Sequence, residues 1–139
     1  MKKILTILMF VVVLGMFIGS VSAADLHPYD FDGKFTMNVP SDDFDRHPVG
    51  TNTFNDKSNN LKIEYFTLDE IHNRNCNSFD EYISECLRLD KMGTDGNLTI
   101  FQDGKDYVVT LQSDDILVII TDDDLNEAKE IGKTVVFAS

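Results

Sequence analysis

The chain of 139 residues is one domain's length; it carries 24 acidic against 12 basic side chains, a formal charge of -12, and is 42% hydrophobic. That composition excludes a disordered, collagenous or disulfide-dense chain. The acidity excludes the basic face that a phosphate backbone requires, so nucleic acid is not an expected partner.

Lys2 and Lys3 open the chain as a short positive region, and residues 4–24 then run without a charge. Val21-Ser22-Ala23 places small residues at the two positions that a signal peptidase reads. These parts predict a secretory signal peptide over 1–23, an apolar signal helix, with the exported chain beginning at Ala24 or Asp25. Retention as a membrane anchor is the alternative, since about 20 apolar residues can span a bilayer. Removing 23 residues leaves 116, with 24 acids and 10 bases and a net charge of -14. Such a charge keeps an exported domain soluble and repels anionic surfaces.

Phe35, Met37 and Val39 alternate with polar residues and end at Pro40, which predicts a half-buried strand. Tyr29 and Phe31 precede it across Asp32-Gly33. A two-residue turn there would put Tyr29 and Phe31 on the face opposite Phe35, so the parity predicts an odd-length loop or a bulge. Residues 41–50 read as acidic and irregular, 51–55 as a strand candidate around Phe54, and 56–60 as a loop. Leu61, Ile63 and Tyr65 predict a strand over 61–66 with one wet face. Residues 67–77 read as loop with room for a helical turn.

Ser78-Phe79-Asp80-Glu81 has the form of a capping box. Phe79, Tyr82, Ile83, Cys86 and Leu87 follow at helical spacing, predicting a helix that ends near Asp90 or Lys91, before Gly93. Next comes a three-stranded meander over 97–121. Turns at Asp103-Gly104 and Ser113-Asp114 would set Ile100 opposite Tyr107 and Val109 opposite Val118, with one apolar face from Leu98 to Ile120. Residues 116–120 are apolar without alternation, so both faces of that strand should be covered. A last helix, capped at Thr121 or Asp122 and striped by Leu125, Ala128, Ile131 and Val135, is the expected cover for the far face. Residues 135–137 can run on as an extended tail.

The order of elements predicts an α+β fold: an antiparallel sheet of five to six strands, one mid-chain helix and one C-terminal helix, in a single domain over 24–139. Residues 31–41, Phe31-Asp32-Gly33-Lys34-Phe35-Thr36-Met37-Asn38-Val39-Pro40-Ser41, are similar to the early strand pair of PsbP/Mog1-like α/β/α sandwich proteins. The 78–87 helix, the meander and the closing helix come in the same order, so the likeness covers about residues 29–137. The chain also resembles small secreted archaeal proteins of unknown function. Members of the PsbP/Mog1 group mostly bind other proteins or act as accessory factors and share no catalytic residues, so the resemblance implies a binding role and no site residue.

No catalytic, cofactor-binding or metal-binding residue is expected. His27, His47 and His72 show no metal-ligand spacing, and Cys76 and Cys86 stand ten positions apart, unlike a zinc knuckle. No nucleophile elbow or protease-type cysteine occurs. Asp30-Phe31-Asp32-Gly33 touches the calcium-loop pattern, but with Gly33 at loop position 6 the two outer ligand positions fall on Pro28 and Val39, so a turn is the better reading. Asp42, Asp43 and Asp45 read as a solvated loop, and Asp122, Asp123 and Asp124 as a helix cap. Asn97-Leu98-Thr99 is an N-glycosylation sequon, which makes Asn97 a modification candidate.

For the cysteines, a helix starting at Ser78 puts Cys86 about 12 Å up its axis. Cys76 reaches back at most about 7 Å. The expectation is a buried, reduced Cys86 and a Cys76 in the preceding loop.

The functional expectation is a secreted or cell-surface, non-catalytic binding or accessory module, with another protein or a cell-surface component as partner. It would touch a membrane only if the N-terminal segment is retained. A small-ligand carrier, with an apolar pocket between sheet and helix, and a hydrolase with an unrecognised site are the alternatives.

Overall fold

A computed structural model describes residues 26–46 and 51–138. The signal segment 1–23, the start at Ala24 or Asp25, and His47 lie outside the described residues. Among the described residues no helix is long and apolar enough to cross a membrane.

The chain begins with β1 (His27–Phe31) and β2 (Phe35–Val39). Phe31 pairs with Phe35 across a three-residue loop, the odd length that parity demands. Asp32 and Gly33 both take positive φ, 57° and 73°. The Gly33 amide donates to Asp30 Oδ1 at 3.1 Å. Tyr29 and Phe31 therefore share the inward face with Phe35, Met37 and Val39. β3 (Asp45–Arg46), β4 (Thr53–Asp56) and β5 (Leu61–Thr67) come next as antiparallel neighbours.

Within the loop expected over 67–77, the helical turn it had room for forms as α1 (Leu68–His72), capped by Thr67. Thr67 Oγ1 accepts from the Glu70 amide at 3.1 Å, and Glu70 Oε1 accepts from the Thr67 amide at 2.8 Å. Thr67-Leu68-Asp69-Glu70 is thus a second capping box, with the same sequence form as the first. The helix at Ser78 begins as expected: Ser78 Oγ accepts from the Glu81 amide at 3.1 Å. The Glu81 carboxylate reaches one residue further back, to the Asn77 amide, at 3.0 Å.

This second helix, α2, is α-helical over Phe79–Tyr82 and widens into a π-helical turn over Ile83–Leu87. Arg88, at φ 52°, ends it in the left-handed region, before the expected Asp90 or Lys91. The residues expected to finish the helix instead form an edge strand, β6 (Asp90–Asp95). Its alternation is hidden by a register shift between Lys91 and Gly93.

β7 (Leu98–Asp103), β8 (Asp106–Gln112) and β9 (Ile116–Asp122) form the meander. Its apolar face is the expected one except for Tyr107, which is only half-buried and outside the core, and both hairpins sit two residues away from the expected register. Ile100 faces Val109 rather than Tyr107. Val109 faces Ile120 rather than Val118. The turn closes at Gly104-Lys105, where Gly104 supplies the positive φ of 62° that Asp103 would adopt at a cost. A shift of two preserves side-chain parity, so hydrophobic pattern alone does not detect it.

The result is a seven-stranded antiparallel sheet, β3-β4-β5-β9-β8-β7-β6, and a three-stranded sheet, β1-β2-β10, where β10 (Val136–Phe137) is the extended tail. The α+β antiparallel class stands; the strand count exceeds five to six, and two short mid-chain helices replace one.

Every residue of β9 from Ile116 to Ile120 is buried, as the continuous apolar run implies. The covering elements differ from the expectation. The last helix, α3 (Leu125–Gly132), is capped by Asp124, whose Oδ1 accepts from the amides of Asn126 and Glu127 at 3.0 and 3.2 Å. Its Ala128 and Ile131 join Val118 and Ile120 on the same face as the small sheet, not the far face. Gly132 permits that approach, since a Cβ there would lie 3.1 Å from Leu98 Cδ2. The far face, with Phe101, Val108, Leu117 and Ile119, is covered by Ile71, Cys76, Phe79 and Tyr82 of the α1–α2 segment.

Candidate functional site

Both faces of the large sheet are covered, and each keeps partly buried hydrophobics at its margin. The near face lies under the small sheet and α3, and its aromatic cluster is dense: Phe31 lies 4.8 to 5.6 Å, centroid to centroid, from Tyr29, Phe35, Phe44 and Phe54. The far face is covered by nine helical residues in α2 and its π-turn and five in α1. So short a cover leaves Phe66, Leu68, Ile83, Leu87 and Leu89 only partly buried.

Between α2 and strands β6–β8 lies an open groove of about 550 Å³. Its lining mixes apolar residues, among them Ile83, Leu89 and Phe101, with a larger number of polar ones, among them Asp80, Ser84, Lys91 and Gln112. Asn97, the sequon residue, is exposed in the turn between β6 and β7 and is part of that lining. Such a mixed lining can both bury apolar groups and hydrogen-bond a ligand.

Two other depressions differ in chemistry. One of about 440 Å³ at the β4–β5 turn is lined almost wholly by polar and charged residues, including Asp56, Lys57, Lys105 and Asp123. One of about 380 Å³ beside α1 holds Glu70 and Arg74. There the Asn52 amide donates to both Glu70 carboxylate oxygens, at 3.0 and 3.1 Å.

The residues singled out in the sequence are dispersed. His27 lies on β1 and His72 at the end of α1. Among the described residues no three His, Cys, Asp or Glu side chains are grouped to hold a metal ion. The Asp30–Gly33 segment is a turn whose acids are engaged internally. Arg46 donates to both Asp32 oxygens, with Nη1 at 3.0 Å from Oδ1, and the Tyr65 hydroxyl donates to Oδ2 at 2.7 Å. Burial pushes the Asp32 carboxyl up, but the hydrogen bonds from Tyr65 and Arg46 and the guanidinium charge outweigh it and hold the group below its ordinary value. Burial, with Asp32 as acceptor and neighbouring charge, raises Tyr65. The cluster pins the β1–β2 turn to β3 and β5, a structural duty. At the other end of the sheet Asp95 receives Lys129 at 3.0 Å and Lys133 at 3.2 Å, which ties α3 to β6.

One chemically unusual group carries no mark in the sequence. Asp122, expected as a cap, is 1% exposed and lies within hydrogen-bonding reach of Glu127, itself 5% exposed. Its Oδ1 accepts from the Asp124 amide at 3.0 Å, while Oδ2 has no donor. A buried carboxylate oxygen without a donor is least costly when the group carries a proton. Burial, and then Glu127, push the Asp122 carboxyl up to about 9. The pair is buried and lines none of these three depressions.

No protein-family model matches the chain, and no curated protein matches it closely enough to count as a relative. The class is therefore defined by architecture alone, an α+β domain of antiparallel sheets.

Proposed function

We propose that the protein is an exported, non-catalytic binding module that holds a segment of another protein or cell-surface component in the groove between α2 and β6–β8. The observation that carries this reading is the groove itself, with the partly buried Ile83 and Leu89 in its lining. The signal segment over 1–23 supports export, and the acidity of the domain favours a neutral or basic partner. The likeness to PsbP/Mog1-like proteins, whose members mostly bind other proteins, agrees with the same role. The carrier alternative fits less well, because a carrier encloses most of its ligand and this groove is not enclosed.

Ser84 is exposed on the groove rim, so Ser84→Arg fills the groove without entering the core. The expected result is at least a tenfold loss of retention on intact cells of the producing organism. Lys57→Glu, in the polar depression at the opposite end of the sheet, leaves retention unchanged. Equal retention of the wild type and the Ser84→Arg chain rejects the groove as the binding site.

A further inference from the structure

The two thiols lie on the segment that covers the far face, and their arrangement overturns the expectation that Cys86 is buried and Cys76 remote. The chain reverses after α1, where Asn75 adopts φ 65°, and the Cys76 amide donates back to Ile71 O at 3.0 Å. That reversal leaves the Cys76 side chain within reach of the end of α2. In a regular α-helix Cys86 would share the stripe of Phe79, Tyr82 and Ile83. The π-turn over Ile83–Leu87 adds a residue to that turn and rotates Cys86 out of the stripe. Cys86 is exposed, Cys76 is buried, and their Sγ atoms are 3.8 Å apart.

We infer that Cys76 and Cys86 are a built disulfide site, closed by exchange with an external disulfide such as oxidised glutathione or a thiol–disulfide oxidoreductase. The exposed Cys86, as thiolate after releasing its proton to water, attacks the oxidant. It forms a mixed disulfide and expels one oxidant thiolate. Cys76 then attacks the Cys86 sulfur, the Cys76–Cys86 bond forms, and the second oxidant thiol leaves with the remaining proton. The pair loses two electrons and two protons, and the oxidant becomes two thiols. Burial raises the Cys76 thiol, as do the neighbouring Cys86 sulfur and the Glu81 and Glu85 carboxylates. Cys86 is thus the entry point and Cys76 the resolving group.

The bond would fix the loop before α2 to its π-turn, the segment that carries Ile83 and Ser84 into the groove. That last consequence rests on the proposed function; the bond itself rests only on the thiol geometry.

The test uses the full chain, purified with reductant in mild detergent and then exposed to excess glutathione disulfide. Intact mass, free-thiol count and thermal melting are read together. The expected product is a monomer two hydrogens lighter, with both thiols lost together and Tm raised by roughly 5–15 °C. In Cys76→Ser the remaining Cys86 takes up one glutathione, while in Cys86→Ser the buried Cys76 stays a free thiol. A wild-type chain that carries glutathione on Cys86 with Cys76 still free overturns the inference, as does loss of thiols only into covalent dimers. Retention on cells is read separately on the oxidised and reduced chains. Failure of Ser84→Arg to affect it rejects the groove and leaves the disulfide result standing.

Discussion

At pH 7 the Asp122→Asn variant should melt above the parent chain, by roughly 4–12 °C, equivalent to about 1–3 kcal/mol. The folded chain keeps a proton on Asp122 up to about pH 9, whereas an unfolded Asp releases it near 3.8. The stability contributed by that carboxyl is therefore fully present below pH 3.8 and is lost as pH rises toward 9. Asparagine supplies a permanent N–H toward Glu127, and its oxygen can still accept from the Asp124 amide. The variant no longer takes up a proton on folding. Its advantage accordingly shrinks as pH falls and disappears by about pH 3, below the unfolded value of 3.8, where both states of the parent are protonated. Calorimetric melts of the two chains at pH 3 and pH 7 check this. A variant less stable than the parent at pH 7, or one with the same advantage at both pH values, contradicts the shared-proton account.

Replacing Phe31 with alanine should cost about 3–5 kcal/mol and lower Tm by roughly 10–20 °C. Phe31 is fully buried and stacks on Phe35 at 4.9 Å with rings 8° from parallel. It also meets Phe54 of the large sheet edge-on at 5.0 Å. The ring is the joint between the two sheets, and removing it leaves a cavity that β1, held by backbone pairing to β2, cannot collapse into. Urea unfolding of the variant measures the effect. A loss below about 1 kcal/mol would mean that the small sheet does not seal the near face.

The elements legible in the sequence share one property: their signal is local and periodic. The Phe31–Phe35 parity, the Leu61–Tyr65 alternation, the Ser78 cap and the unbroken run from Ile116 to Ile120 each rest on spacing. The differences between expectation and structure involve features without a period. A two-residue register shift leaves every side chain on its own face. The bulge between Lys91 and Gly93 breaks the alternation of β6, and Arg88 in the left-handed region ends the preceding helix without a glycine to announce it. The capping box at Thr67 is readable, but the helix it starts is only five residues long, too short to show a stripe. The groove and the thiol pair are not legible at all. Both depend on the π-turn, which moves Cys86 out of an otherwise regular stripe and leaves Ile83 and Leu87 half-covered.

If the groove between α2 and β6–β8 is where this protein meets its partner, site-specific photo-crosslinking in the producing cells reveals it, with a photoreactive residue at Ser84 in the groove or at Lys57 in the polar depression. A discrete covalent adduct from position 84 and none from position 57 is the expected result. An adduct from position 57 alone, or no adduct from position 84, would contradict the claim.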